Sequence, residues 1–402
     1  MKNWALPGIF LLLGGQARAM DFDFSGYGDV RLEVSPRQGS YYYGDLGKLR
    51  FGYDDGATPA KIAAVVAEMR AHVTPELMIE AVGRFDPNYG AKEDLLEAYA
   101  RYRPVSTENW AWFVKAGAFF PPVSLENNQI GWTSPWTITP SAINTWVGYE
   151  LRTIGTEATL EWRADAGTLS LSGAVFGWND PAGVLMAERG WSFDDRASGL
   201  FEHERLPDAD AALLGVNPPI STDLFRQIGS SPGWYVHAAW NEPDLADVSA
   251  IYYDNEANPQ AESDGVYAWH TRFWDVGVHK EIDNITLLAQ ALSGSTDSDP
   301  GPWYRSTTNF SSAYALAGLD LGEWRLAARF DMFRTRTMSE LPWFSGENGD
   351  AGTIAATWFP ASWLQLTAEA IVVASERNER LIEDEPADDT EREFQLMARV
   401  YF

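Results

Sequence analysis

The segment DFDFSGYGDVRLEV, residues 21–34, sets Phe22, Phe24, Gly26, Gly28, Val30 and Leu32 on one side. Asp23, Ser25, Tyr27, Asp29, Arg31 and Glu33 fall on the other. A period of two marks an extended strand. The same division recurs in LLEAYARYR, where Leu96, Ala98, Ala100 and Tyr102 oppose Glu97, Tyr99, Arg101 and Arg103. It recurs again in LQLTAEAIV, where Leu364, Leu366, Ala368, Ala370 and Val372 oppose Gln365, Thr367 and Glu369. Charge repeated along one face cannot sit unpaired in a packed core. Those faces must meet water, and the apolar faces must meet something else. A closed sheet with a wet interior and lipid outside satisfies both, and closure removes every strand edge.

Period-two segments begin near 22, 60, 76, 93, 109, 149, 167, 233, 245, 265, 284, 308, 322, 350, 362 and 391. Helical periodicity is almost absent, apart from short turns expected within 183–228. The connections alternate short and long. The short ones, such as VTPEL, RADAG, EIDN and FPASW, carry the Pro, Asp, Asn and Gly of tight turns. The long ones are expected at 36–59, 86–92, 120–148, 179–232, 255–264, 297–307, 337–349 and 377–390. Loop lengths sorted to two ends describe an all-β fold: a transmembrane antiparallel up-and-down barrel of about sixteen strands, with short periplasmic turns and long external loops. YAWHTRFWDVGVHK fits less simply, because His270 and Arg272 share a face with Trp274, Val276 and Val278. A bulge or a rim position would explain it.

The ends and the composition agree. MKNWALPGIFLLLGGQARAM has a basic start, an apolar run and a small-x-small site at Ala17–Ala19. It reads as a signal peptide over 1–19, leaving one barrel domain over 20–402. There are no cysteines, which excludes thiolate chemistry. The net charge of -27 argues against nucleic acid as a partner. None of the five histidines sits in a metal or protease motif, so neither an enzyme nor a cofactor is expected. Trp112, Trp162, Trp240, Trp324, Trp358, Trp363 and Phe402 cluster near the tight turns, and Phe85, Phe119, Phe176, Tyr252 and Phe394 near the loops. Two aromatic girdles fit two membrane interfaces.

The chain ends FQLMARVYF, with Phe394, Leu396, Ala398, Val400 and Phe402 on one face. With the leader and the alternating segments, this tail resembles the bacterial outer-membrane porin superfamily. The resemblance implies an outer-membrane location, contact with lipid and lipopolysaccharide, and Phe402 as the signal read by the barrel-assembly machinery. It implies a homotrimer as one assembly, and a third loop that folds into the barrel. Glu126, Asn127, Asn128, Trp132, Trp136, Asn144 and Trp146 of loop 120–148 are then the candidate constriction residues.

A barrel of this size leaves an aqueous channel. Arg31, Arg70, Arg84, Arg101 and Arg399 share neighbouring inward faces, and Lys115 joins them from the fifth strand. Asp29, Glu68, Glu80 and Glu97 lie on the same faces, so the arginines either form a basic ladder or simply pair. The expected function is passive diffusion of small hydrophilic solutes. The alternative is a non-conducting barrel whose loops bind a partner or a surface ligand.

Overall fold

A computed structural model describes residues 20–35, 38–52, 58–87, 92–207, 220–301, 304–339 and 346–402. The expected signal peptide lies outside them. Sixteen strands close into one antiparallel barrel in chain order. They are β1 (Asp21–Val34), β2 (Thr58–His72), β3 (Leu77–Phe85), β4 (Glu93–Tyr102), β5 (Trp110–Phe119), β6 (Thr153–Ala164), β7 (Gly167–Gly177) and β8 (Gly233–Glu242). The second half is β9 (Ala246–Asp254), β10 (His270–Ile282), β11 (Ile285–Gly301), β12 (Tyr304–Asp320), β13 (Trp324–Ser339), β14 (Glu347–Ala361), β15 (Leu364–Arg377) and β16 (Asp388–Tyr401).

The tail closes the barrel. Gly28 pairs with Val400, Asp29 with Arg399 and Arg31 with Met397. Phe402 extends the ladder, exchanging backbone hydrogen bonds with Gly26 at 3.1 Å. Phe394, Leu396 and Val400 face outward, while Gln395, Met397 and Arg399 are buried inside. Outward apolar side chains recur around the wall, as at Val30, Leu160, Val236, Val276, Leu326 and Ile354. No helix among the described residues is long and apolar enough to cross a membrane.

Aromatic rings gather at both ends of the wall. Near the tight turns Trp110 stacks on Trp162 at 6.1 Å and Trp324 on Trp358 at 5.8 Å. At the loop end Tyr252 lies between Trp234 and Trp274, with centroids at 5.3 and 4.6 Å. Two residues assigned to that end by sequence, Phe119 and Phe176, instead point into the lumen. Phe119 packs on Tyr99, and Phe176 stacks on Tyr253. His270 and Arg272 occupy the external rim of β10, in unbroken register with β11.

Other differences have local causes. Residues 142–150, expected to lead into a strand, form helix α1 (Ala142–Glu150), and β6 starts only at Thr153. Leu96, expected to face lipid, is buried inside, because the β3–β4 register slips between Val82 and Gly83 and turns it inward with Glu97. The expected loop 297–307 is mostly strand: Ser298 pairs with Ser306 and Gly301 with Tyr304. Its Ser, Thr and Asp residues read as loop by composition, but they serve equally well on a hairpin that rises out of the bilayer into water. β13 and β14 likewise shorten the expected loop 337–349.

Candidate functional site

The lumen is the site, and two loops enter it. Loop 3, residues 120–152, crosses from β5 to the far wall. Its path is fixed by local signals. Gly131 and Trp132 both take positive φ, 70° and 64°, reversing the chain. Ser141 caps α1 by accepting from Asn144 N at 3.3 Å. Trp132 donates to Asn144 O at 2.8 Å and stacks on Phe120 at 4.0 Å. Gly148 lies beneath that indole, where a Cβ would come within 2.9 Å. Every residue of α1 is buried.

The far wall holds the loop by its backbone. Arg329 of β13 donates to Glu126 at 2.8 Å, Thr139 O at 2.7 Å and Pro140 O at 2.9 Å, and also to Asp331 at 2.7 Å. Glu369 of β15 accepts Thr139 N at 3.0 Å. Gln290 of β11 donates to Val123 O at 2.8 Å. Such contacts satisfy a non-helical backbone at membrane depth, which lipid could not do. Trp146 seats between Phe273 and Phe310, at 5.4 and 5.1 Å.

Loop 4, the connection between β7 and β8, lies above loop 3. It contains helix α2 (Val184–Glu188), and Trp191 and Phe193 then descend onto the wall. Trp191 donates to Arg334 O at 3.1 Å and meets Trp146 at 6.1 Å. Phe193 packs on Phe333 at 5.6 Å. Glu150 joins the two loops. Its carboxylate accepts Gly183 N at 3.0 Å, Leu185 N at 2.8 Å and Met186 N at 3.2 Å, and also Trp146 Nε1. Burial nevertheless pushes the Glu150 carboxyl up to about 7, against the pull of those donors.

The residues expected to line a pore divide into two groups. In the buried group, Arg31 binds Asp29 at 3.2 Å and Asp195 of loop 4. Arg399 grips Asp29 at 2.7 and 2.8 Å, and Arg84 reaches Glu202 at 3.0 Å. Arg31 and Arg50 hold the Asp195 carboxyl well below the usual range, against the upward push of burial. Glu97 accepts Phe120 N at 3.1 Å. Arg31, Arg84 and Arg399 thus each have an acidic partner, and two of those partners, Asp195 and Glu202, lie in loop 4. In the other group Arg70 bridges Glu68 at 2.7 Å and Glu80 at 2.9 Å, with its side chain 46% exposed. Lys115 meets Glu157 at 3.1 Å. Arg101 is half-buried and makes no ion pair among the described residues. These three side chains keep partial exposure to solvent.

The expected constriction residues of loop 3 mainly build the loop itself. Glu126 and Asn144 join each other at 3.0 Å, and Asn127 donates to Trp132 O at 2.7 Å. Asn128 is exposed, and Trp136 lies over Gly318 of the wall. Sequence reasoning read Arg329 beside Asp331 as an inward cation next to an acid and Glu369 as an inward acid, but gave neither a partner in loop 3, and it missed Glu150, Asp195 and Trp191.

One consequence follows around the whole circumference. Every strand contributes a buried inward side chain: Tyr27, Val66, Val82, Leu96, Phe119, Glu157, Ala174, Tyr235, Ile251, Asp275, Gln290, Tyr314, Asp331, Thr353, Glu369 and Gln395. Loop 3 reaches several members of this ring directly: Gln290 through Val123, Asp331 through Ala142, and Glu369 and Gln395 through Thr139.

The fold and lumen define a class, the transmembrane β-barrel of the outer-membrane type. No protein-family model matches the chain, and no curated protein does. Solved structures do. The outer membrane channel DcaP of Acinetobacter baumannii is 11% identical, with TM-score 0.56 over 97% of this chain and 100% of that one. The trimer form of OmpT, an outer membrane protein of Vibrio cholerae, is 11% identical, with TM-score 0.52 over 96% and 100%. An anion-selective porin from Comamonas acidovorans is 9% identical, with TM-score 0.52 over 95% and 100%. What they share with this chain is the fold: it is a porin-like outer-membrane β-barrel.

Proposed function

We propose that this barrel is an outer-membrane channel for small hydrophilic solutes, closed in the described conformation by loops 3 and 4. The observation that carries the reading is the ring of buried inward side chains, one from each strand, with loop 3 fastened to the wall at Gln290, Arg329 and Glu369. Passage then requires loop 4 to leave the mouth, after which loop 3 sets the constriction. Arg70, Arg101 and Lys115 bias which ions reach it from the periplasmic side.

The same buried ring also favours a second reading, a non-conducting barrel that presents its loops to a partner. Planar-bilayer recording separates the two. The full chain should give rare, small steps, and a variant with 184–206 replaced by a short Gly-Ser linker should give large, steady ones. Steady conduction by the full chain would refute closure. Silence of a correctly folded loop variant would establish the non-conducting barrel.

Phe402 closes the ladder with an exposed ring, and we assign it to recognition by the assembly machinery. Its removal should lower the heat-resistant folded fraction in the outer membrane while leaving the conductance of assembled barrels unchanged. Normal assembly without it would sink that role. The outward apolar wall faces lipid, with lipopolysaccharide around the external rim, and a homotrimer is the assembly the reading carries.

A further inference from the structure

We propose that Asp254, Glu256 and His270 form a site for a zinc-type divalent cation on the external rim of the barrel. Asp254 ends β9 and His270 opens β10, so closure of the sheet brings them side by side. His270 Nε2 lies 2.9 Å from Asp254 Oδ1. Glu256 takes a positive φ of 50°, which folds it back towards the pair. One donor atom from each of the three lies within 4.8 Å of the others.

The donor set selects the metal. Calcium and magnesium prefer all-oxygen shells, whereas one imidazole with two carboxylates suits zinc and its neighbours. Two carboxylates and a neutral ring balance a double positive charge. Zinc bonds of about 2.0–2.1 Å place tetrahedral ligands roughly 3.4 Å apart. The His–Asp contact need open by only about half an ångström to admit the ion. A fourth position stays open towards water.

Neighbours that are not ligands hold the carboxylates in place. Tyr252 Oη donates to Asp254 Oδ2 at 3.4 Å, and Glu256 N donates to Asp254 Oδ1 at 2.9 Å. Trp234 Nε1 donates to Glu256 Oε1 at 3.1 Å. Such outer partners orient first ligands and sharpen affinity. Two charges face the site. Arg272 opposes a cation from the same face of β10, where it leans towards Ser295 at 3.4 Å. Asp297 of β11, the direct cross-strand partner of His270, favours one. Binding displaces the proton shared by His270 and Asp254, so it should weaken on acidification.

The simpler role of these residues is an ion pair that ties the loop down, and metal titration distinguishes the two. The purified full chain in detergent micelles is titrated with Co²⁺, whose visible absorption reports a compact four-coordinate shell. One equivalent should bind at micromolar concentration, be displaced by equimolar Zn²⁺ and resist millimolar Ca²⁺. His270→Ala should abolish the band, and Glu256→Gln should weaken binding about 10–100-fold. Both variants should keep the heat stability of the metal-free parent. Overturning results are binding unaffected by His270→Ala, displacement by Ca²⁺, or no stoichiometric binding below millimolar metal.

Discussion

The lumen wall uses the same residue types in two ways. Arg31, Arg84, Arg329 and Arg399 are buried, and each meets a carboxylate or a carbonyl. Arg70, Arg101 and Lys115 keep partial exposure to water. A charge taken out of water needs a close partner, whereas an exposed one does not. The buried arginines therefore behave as structural rivets. Among the exposed group, Arg70 and Lys115 hold carboxylate partners, and Arg101 makes no ion pair among the described residues. A row of inward arginines is thus not by itself a conduction path.

The contrast predicts unequal effects. Arg329→Met should do the most damage, because Glu126 and Asp331 would be left buried without their cation. Breaking a buried pair costs about 3–5 kcal/mol. Loop 3 should become cleavable by proteinase K while the barrel resists, and open events in bilayers should multiply. If loop 3 stays protected, Arg329 is not its clamp.

Glu150 gives an intermediate effect that depends on pH. Its carboxyl is raised from 4.5 to about 7 in the folded chain, chiefly by burial. The neutral form is therefore the one the plug retains. Its contribution is fully present below the unfolded value and is lost as pH rises through about 7. Open events should accordingly be more frequent at pH 8 than at pH 5. Glu150→Gln should flatten the difference, and a slope retained in that variant would place the titrating group elsewhere.

Arg101→Ala should have the smallest effect on stability, within about 1 kcal/mol. Its consequence is electrical: the reversal potential in a salt gradient should move towards cation preference in the loop-shortened barrel. An unchanged reversal potential would remove Arg101 from the lumen's selectivity.

Several elements were legible because their signals are local. The alternation in 21–34 and 394–402 fixed which side chains meet lipid, and tight-turn residues such as Asp283 and Gly322, with φ of 53° and 82°, marked where hairpins end. The break of His270 and Arg272 with the apolar pattern allowed a bulge or a rim position, and the unbroken register favours the rim. Helix α1 was not legible. AINTWVGYE is apolar on nearly all sides, because it is buried on all sides, so it shows no amphipathic stripe. Leu96 was misplaced because a register slip of one residue is invisible in a pattern of two. Phe119 and Phe176 were misplaced because an aromatic ring suits a membrane interface and a filled lumen equally well.

The sequence alone determined a closed barrel, the face most strands turn to lipid, and the two ends of its loops. Period, turn chemistry and the cost of unpaired charge all act over a few residues. Tertiary structure decided whether the charged interior is water-filled or packed. That depends on Trp146, Trp191 and Asp195 reaching partners far away in sequence, at Phe310, Arg334 and Arg31. Each inward charge is compatible with either water or a partner, and only the path of loops 3 and 4 supplies the partner.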